Sequence, residues 1–102
     1  FELFDEVSQR AFFETRYRFQ GGNRMGYHLC GKSLHLKEPK NMLSSATLFG
    51  TIQVPASGQP IVLMADAQTV GGYPVIATVH SDDLRFIAQL NMFDEVRFME
   101  VE

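Results

Sequence analysis

A single cysteine, Cys30, stands among the 102 residues, so no disulfide framework can form within the chain. That scarcity suits a reducing compartment, and a cytoplasmic location is the expectation. No apolar run approaches the ~20 residues that span a bilayer. No basic-then-apolar leader opens the chain, and a membrane role is not expected. Charge of one sign is scarce as well. A formal net charge of −3 offers no field to gather nucleic acid or an anionic lipid surface. His28, His35 and His80 are far apart and lack Cys or carboxylate at ligand spacing, which argues against a metal site. The Gly71-Gly72-Tyr73-Pro74 run lacks the lysine of a phosphate-binding loop, so nucleotide is not expected to bind here. Repeats and low-complexity stretches are missing too.

What is present is an ordinary globular composition, 45% hydrophobic and 21% charged, in a length that makes one domain. A chain of this size buries roughly 65% of its unfolded surface, enough for one core. Residues 1–10 are weakly patterned and read as an N-terminal arm or a short helical turn, leaving 11–102 as the domain. Phe13, Thr15, Tyr17 and Phe19 alternate with Glu14, Arg16 and Arg18, a period of two that predicts a half-buried strand over 11–19. Gln20 to Asn23 is a turn cluster, and Tyr27 to Cys30 reads as a short strand closed by Gly31.

Residues 32–42 read as a solvated connection, with Pro39 excluding a central strand. Thr51–Val54 and Gln59–Ala65 read as strands around Pro55-Ala56-Ser57-Gly58, whose early proline and late glycine suit a type I turn. Ile61 to Ala65 is apolar on both faces and belongs in the interior of a sheet. Val75–His80 predicts another strand. Ser81 reads as the cap of a helix near 82–90, with Leu84, Ile87 and Ala88 on its inner face. Glu95 to Val101 closes the domain as a strand. The pattern is mainly β, a small closed or half-open barrel with one short helix.

Polar residues gather where these strands end, and binding sites favour such places. Asp66 ends the most apolar strand. It reads either as a base that orients a substrate N–H or as a carboxylate accepting amides of its own turn. Gly71 and Gly72 leave backbone N–H groups uncovered for an oxyanion or ureido carbonyl, or simply make a tight turn. Tyr73, held extended by Pro74, can stack on a flat ligand or cover the barrel end. Gln53, Gln59 and Gln68 each donate and accept, which suits an amide, lactam or urea group, or a tie between strands. Arg24 can grip a carboxylate with two parallel bonds or pair with Asp66, Asp94 or Glu95. Met25 and Cys30 read as core residues, the latter as a small buried one.

Two ordered patterns carry a resemblance. Asn23-Arg24-Met25-Gly26-Tyr27-His28-Leu29-Cys30-Gly31 is the first, and Gly50 to Pro74 with Ile76-Ala77-Thr78-Val79, Ala88-Gln89-Leu90 and Asp94 to Phe98 is the second. Over about residues 12–101 the chain resembles the C-terminal part of the biotin-dependent carboxyltransferase family. That family takes in the second subunit of allophanate hydrolase, the C subunit of 5-oxoprolinase and urea amidolyase-related proteins. His28, Cys30, Lys32, Ala67 and Met92 depart from the family's usual Arg, Glu, Pro, Arg and Pro, which bears on how an anionic substrate is held.

The resemblance implies a cyclophilin-like barrel and chemistry on a planar N–C=O group. For that chemistry Asp66 and Gln68 are the expected catalytic residues, and Arg24, Gln53, Gln59, Gly71, Gly72 and Tyr73 the expected substrate-binding ones. The resemblance further implies a C-terminal piece of a longer protein that is inactive without its N-terminal half and a partner protein like the B subunit of 5-oxoprolinase. No cofactor is expected on this piece, with biotin or ATP used in the wider assembly. A non-catalytic reading stands beside it: a regulatory or subunit-docking module of the kind that antagonises a histidine-kinase inhibitor. Prolyl isomerase activity would rest on barrel likeness alone.

Overall fold

A computed structural model describes residues 3–23, 25–38, 49–65 and 73–100. Asp5 starts the first element. Its Oδ1 accepts the Ser8 N–H at 2.7 Å, capping α1, Glu6–Glu14. That bond holds the Asp5 carboxyl below its usual range. The buried face of the helix is Ser8, Ala11 and Phe12, a spacing of three and four that brings them onto one side. Ser8 Oγ then accepts the His35 N–H at 2.7 Å, and Phe4 bridges Leu36, so α1 is tied to the segment after β2.

This corrects the strand expected over 11–19. The first four of those residues are helical, and only from Tyr17 does the period of two take over. Phe13 and Thr15 alternate across a helix–strand junction, where the spacing has no strand behind it. The expected division at 10/11 falls inside α1.

The strands are β1 (Tyr17–Gly22), β2 (Gly26–Cys30), β3 (Thr51–Gln53), β4 (Ile61–Leu63), β5 (Val75–Thr78) and β6 (Glu95–Val96). They form one antiparallel sheet in the order β5-β3-β4-β2-β1-β6. The register slips between Phe19 and Gly21 and between Ile52 and Gln53, and such bulges bend and twist a sheet. The result is a curled half-barrel, as the mainly β pattern predicts. β4 lies inside the sheet between β3 and β2, the place its two apolar faces require.

Val54 to Pro60 joins β3 to β4, and the Gly58 N–H donates to the Pro55 carbonyl at 2.9 Å. Gly58 stands at φ +82°, where a side chain is strained, and an added Cβ would also lie 2.9 Å from Ser33.

One core joins α1 to the sheet: Phe4, Phe12, Tyr17, Leu29, Ile52, Val62 and Ile76 are all nearly or fully buried. Phe12 stacks on Phe98 with centroids 4.6 Å apart and planes 10° apart. Burying one such ring is worth ~2–3 kcal/mol. Tyr17 is fully buried, and loss of water pushes its hydroxyl up to about 12.

The second helix, α2 (Leu84–Ala88), follows a 3-10 turn over Ser81–Asp83. His80 rather than Ser81 caps that turn, its Nδ1 accepting the Asp82 N–H at 3.3 Å. Leu84 and Ile87 are buried as expected, whereas Ala88 faces outward. Three further expectations are corrected. Leu34 is buried within the connection expected to be solvated, where it joins the core cluster and its N–H donates to the Gly58 carbonyl. Met25 is 46% exposed. Cys30 is exposed too, since the alternation of β2 turns Leu29 inward and its neighbours out.

Candidate functional site

Gln53 closes β3 and is 2% exposed. It pairs with Ile61 of β4 and Val75 of β5. Gln59 stands two residues before Ile61 and Tyr73 two before Val75, so antiparallel pairing brings all three to one end of β3, β4 and β5. The Val54 N–H donates to the Pro74 carbonyl at 2.9 Å and fixes that end. Tyr73 is 39% exposed beside buried Pro74.

Gln59 is already employed by the fold. Its Oε1 accepts the Gly31 N–H at 2.8 Å and its Nε2 donates to Ser33 Oγ at 3.0 Å. The amide ties the β3–β4 loop to the chain after β2, which is the strand-tying role open to it in the sequence. Among the described residues, one donor and one acceptor position of this amide are left unused.

The opposite end of the sheet is built around the Asn23–Gly26 turn. Asn23 Oδ1 accepts the Met25 N–H at 2.8 Å, and the Asn23 N–H donates to the Gly26 carbonyl at 3.1 Å. Gly22 allows the close approach, since a Cβ there would sit 2.5 Å from the Gly26 carbonyl oxygen. The Met25 carbonyl accepts the Met64 N–H at 3.1 Å, so the turn abuts the end of β4. Arg24, Asp66, Gln68, Gly71 and Gly72 lie outside the described residues. The residues flanking Arg24 and those preceding Asp66 thus meet at one end of the sheet. Gln53, Gln59 and Tyr73 gather at the other.

Two features escaped the sequence. In the Asn91–Asp94 turn, Phe93 is 61% exposed with φ 71°, a left-handed backbone that is rare for a bulky residue. The Asp94 Oδ2 accepts the Asn91 N–H at 2.7 Å, and the Phe93 N–H donates to Phe19, which over-determine the turn. The other is an apolar groove of about 880 Å³ between β5 and the chain that follows β6. Ile52 and Ile76 line it, as do Val79, Phe86, Val96 and Met99. The outward large apolar residues Phe86 and Met99 were the available signal. Among the described residues, no helix is long and apolar enough to cross a membrane.

The chain matches the family described as "Carboxyltransferase domain, subdomain A and B" over residues 1–100. It is 46% identical over 102 residues to the C subunit of 5-oxoprolinase from Haemophilus influenzae, covering 99% of this chain and 33% of that protein. Against the C subunit of 5-oxoprolinase from Escherichia coli K12 it is 43% identical over 98 residues, covering 95% of this chain and 32% of the relative. The chain therefore spans about a third of the length of the curated relatives it matches. The crystal structure of a protein designated TTHA0988 superposes with a TM-score of 0.78 at 33% identity, over 96% of this chain and 20% of that one. A second crystal form gives 0.76 at 34% identity, over 91% and 19%.

Proposed function

Because the chain belongs to the carboxyltransferase-domain family, subdomains A and B, we propose that it is the substrate-recognising C-terminal domain of a 5-oxoprolinase C subunit. The substrate class is a small planar amide or lactam. The observation that carries this reading is the 46% identity to the C subunit of a 5-oxoprolinase across nearly the whole chain.

Opening a lactam requires its carbonyl to be polarised, its N–H to be held and its carboxylate to be anchored. Gly71 and Gly72 amides with Gln68, then Asp66, then Arg24 are assigned to those tasks on the sequence. Gln59 holds the framework, and Gln53 and Tyr73, at the other end of the sheet, are not assigned to the same small ligand. The wider assembly supplies the remaining two thirds of the polypeptide, a partner protein like the B subunit of 5-oxoprolinase, and any ATP or biotin chemistry. The site acts in the cytoplasm.

Turnover of 5-oxoproline with ATP by the complete polypeptide and its partner subunits tests the proposal. Asp66→Asn and Gln68→Ala are expected to lower kcat at least ~10²-fold, the scale of a lost acid–base or oxyanion group. Wild-type rates in both variants would overturn the assignment. A complete assembly that turns over urea but not 5-oxoproline would overturn the substrate.

A further inference from the structure

The two edges of the sheet face the same groove. β5 pairs with β3 and β6 with β1, and among the described residues neither has a partner on its other side. The geometry says which backbone groups are left. The Val79 N–H donates to the Gly50 carbonyl, which makes Thr78 and Thr51 a non-hydrogen-bonded pair. Thr78 therefore turns its N–H and C=O away from β3. The Phe19 N–H donates to the Asp94 carbonyl, so by the same rule Glu95 turns its N–H and C=O away from β1. Unpaired edges of this kind are templates for another strand.

Between them lies the 880 Å³ groove, walled by Ile76 and Val79 on one side and by Val96 and Phe98 on the other. Phe86 and Met99 also line it while 57% and 74% exposed. Its charged residues are of both signs, Asp83 and Glu100 with Arg97, so it does not select an ion. Apolar walls beside unpaired backbone suit an extended segment with inward apolar side chains.

We propose that this seam receives an extended apolar segment from the two thirds of the family polypeptide that lie outside residues 1–102, added to the sheet as a further strand. The 46% and 43% identical relatives have the length to supply it, for this chain covers only 33% and 32% of them. The inference rests on family membership and not on the substrate.

p-Benzoylphenylalanine placed at position 86, and separately at 99, in the complete polypeptide that carries residues 1–102 tests it. Irradiation should join both positions to one segment of the same molecule outside residues 1–102, and the same probe at exposed Cys30 should not. Hydrogen exchange at the Thr78 and Glu95 amides should be slowed at least tenfold in the complete polypeptide relative to exposed loop amides. Thr78→Pro removes an N–H that β3 does not use and should abolish both the cross-link and the protection. Should Thr78→Pro misfold, Met99→Glu is expected to cut the cross-link from position 86. Cross-links to a second copy, to another protein or only within residues 1–102, or none at all, would overturn the proposal. These readouts need no turnover, so a wrong substrate leaves them intact.

Discussion

Asp5 and Tyr17 give the domain opposite limits of pH. The Ser8 amide stabilises the charged form of Asp5, so its folded pKa is depressed. The stability it contributes is present above the ordinary carboxylate value and fades as pH falls through the lower folded one. Asp5→Asn, which keeps a capping oxygen, is expected to flatten the acid limb of a urea-midpoint profile, and Asp5→Ala to lower the midpoint at neutral pH. Tyr17 runs the other way. With its folded value at about 12 against an ordinary 10.0, its contribution is complete below pH 10 and disappears as pH rises through 12. That loss is worth ~2–3 kcal/mol. Tyr17→Phe should remove this alkaline step, read as the pH dependence of the denaturant midpoint. Neither behaviour follows from the sequence alone, since burial and a particular backbone donor cause both.

At the level of elements, the clearest signals were those with a strict period or a fixed turn. The doubly apolar run of β4 belongs inside a sheet and sits there, and Pro55 to Gly58 closes as a four-residue turn. α1 was less legible because its nine residues have only three buried positions and run directly into an alternating strand. The Gln59 tie binds two segments far apart in sequence. Gln59→Ala leaves the Gly31 N–H and Ser33 hydroxyl without that partner and should cost ~1–3 kcal/mol, measured by chemical denaturation. An unchanged midpoint would show the tie to be immaterial. The Asn91–Asp94 turn holds strain of the other sort. Phe93→Gly should raise stability by ~1 kcal/mol, as left-handed backbone costs a side-chain residue about that much.

Across the whole molecule, the candidate site was legible as residue types and not as a place. Residues neighbouring in sequence along β4 end at opposite ends of the sheet, since Gln59 precedes that strand and Ala65 follows it. A tally of polar residues at strand ends cannot tell one end from the other; only register can. Gln53, Gln59 and Tyr73 share one end of the sheet, whereas the groove escaped because its walls come from β5 and β6, which are remote in sequence and at opposite edges of the sheet. Residues 1–102 on their own are expected to show no 5-oxoproline turnover, assayed as glutamate release with ATP. Glutamate production by this piece alone would mean that the chemistry needs neither the other two thirds of the relatives nor a partner.

The outward Cys30 has a practical corollary. It is the single thiol of the sequence, it stands on β2 opposite Arg18, and it is not among the residues that line the groove. It therefore offers one attachment point for a maleimide fluorophore. Energy transfer from that dye to a second label can follow assembly in real time, whereas oxidising buffers will couple two molecules through the same sulfur and must be avoided.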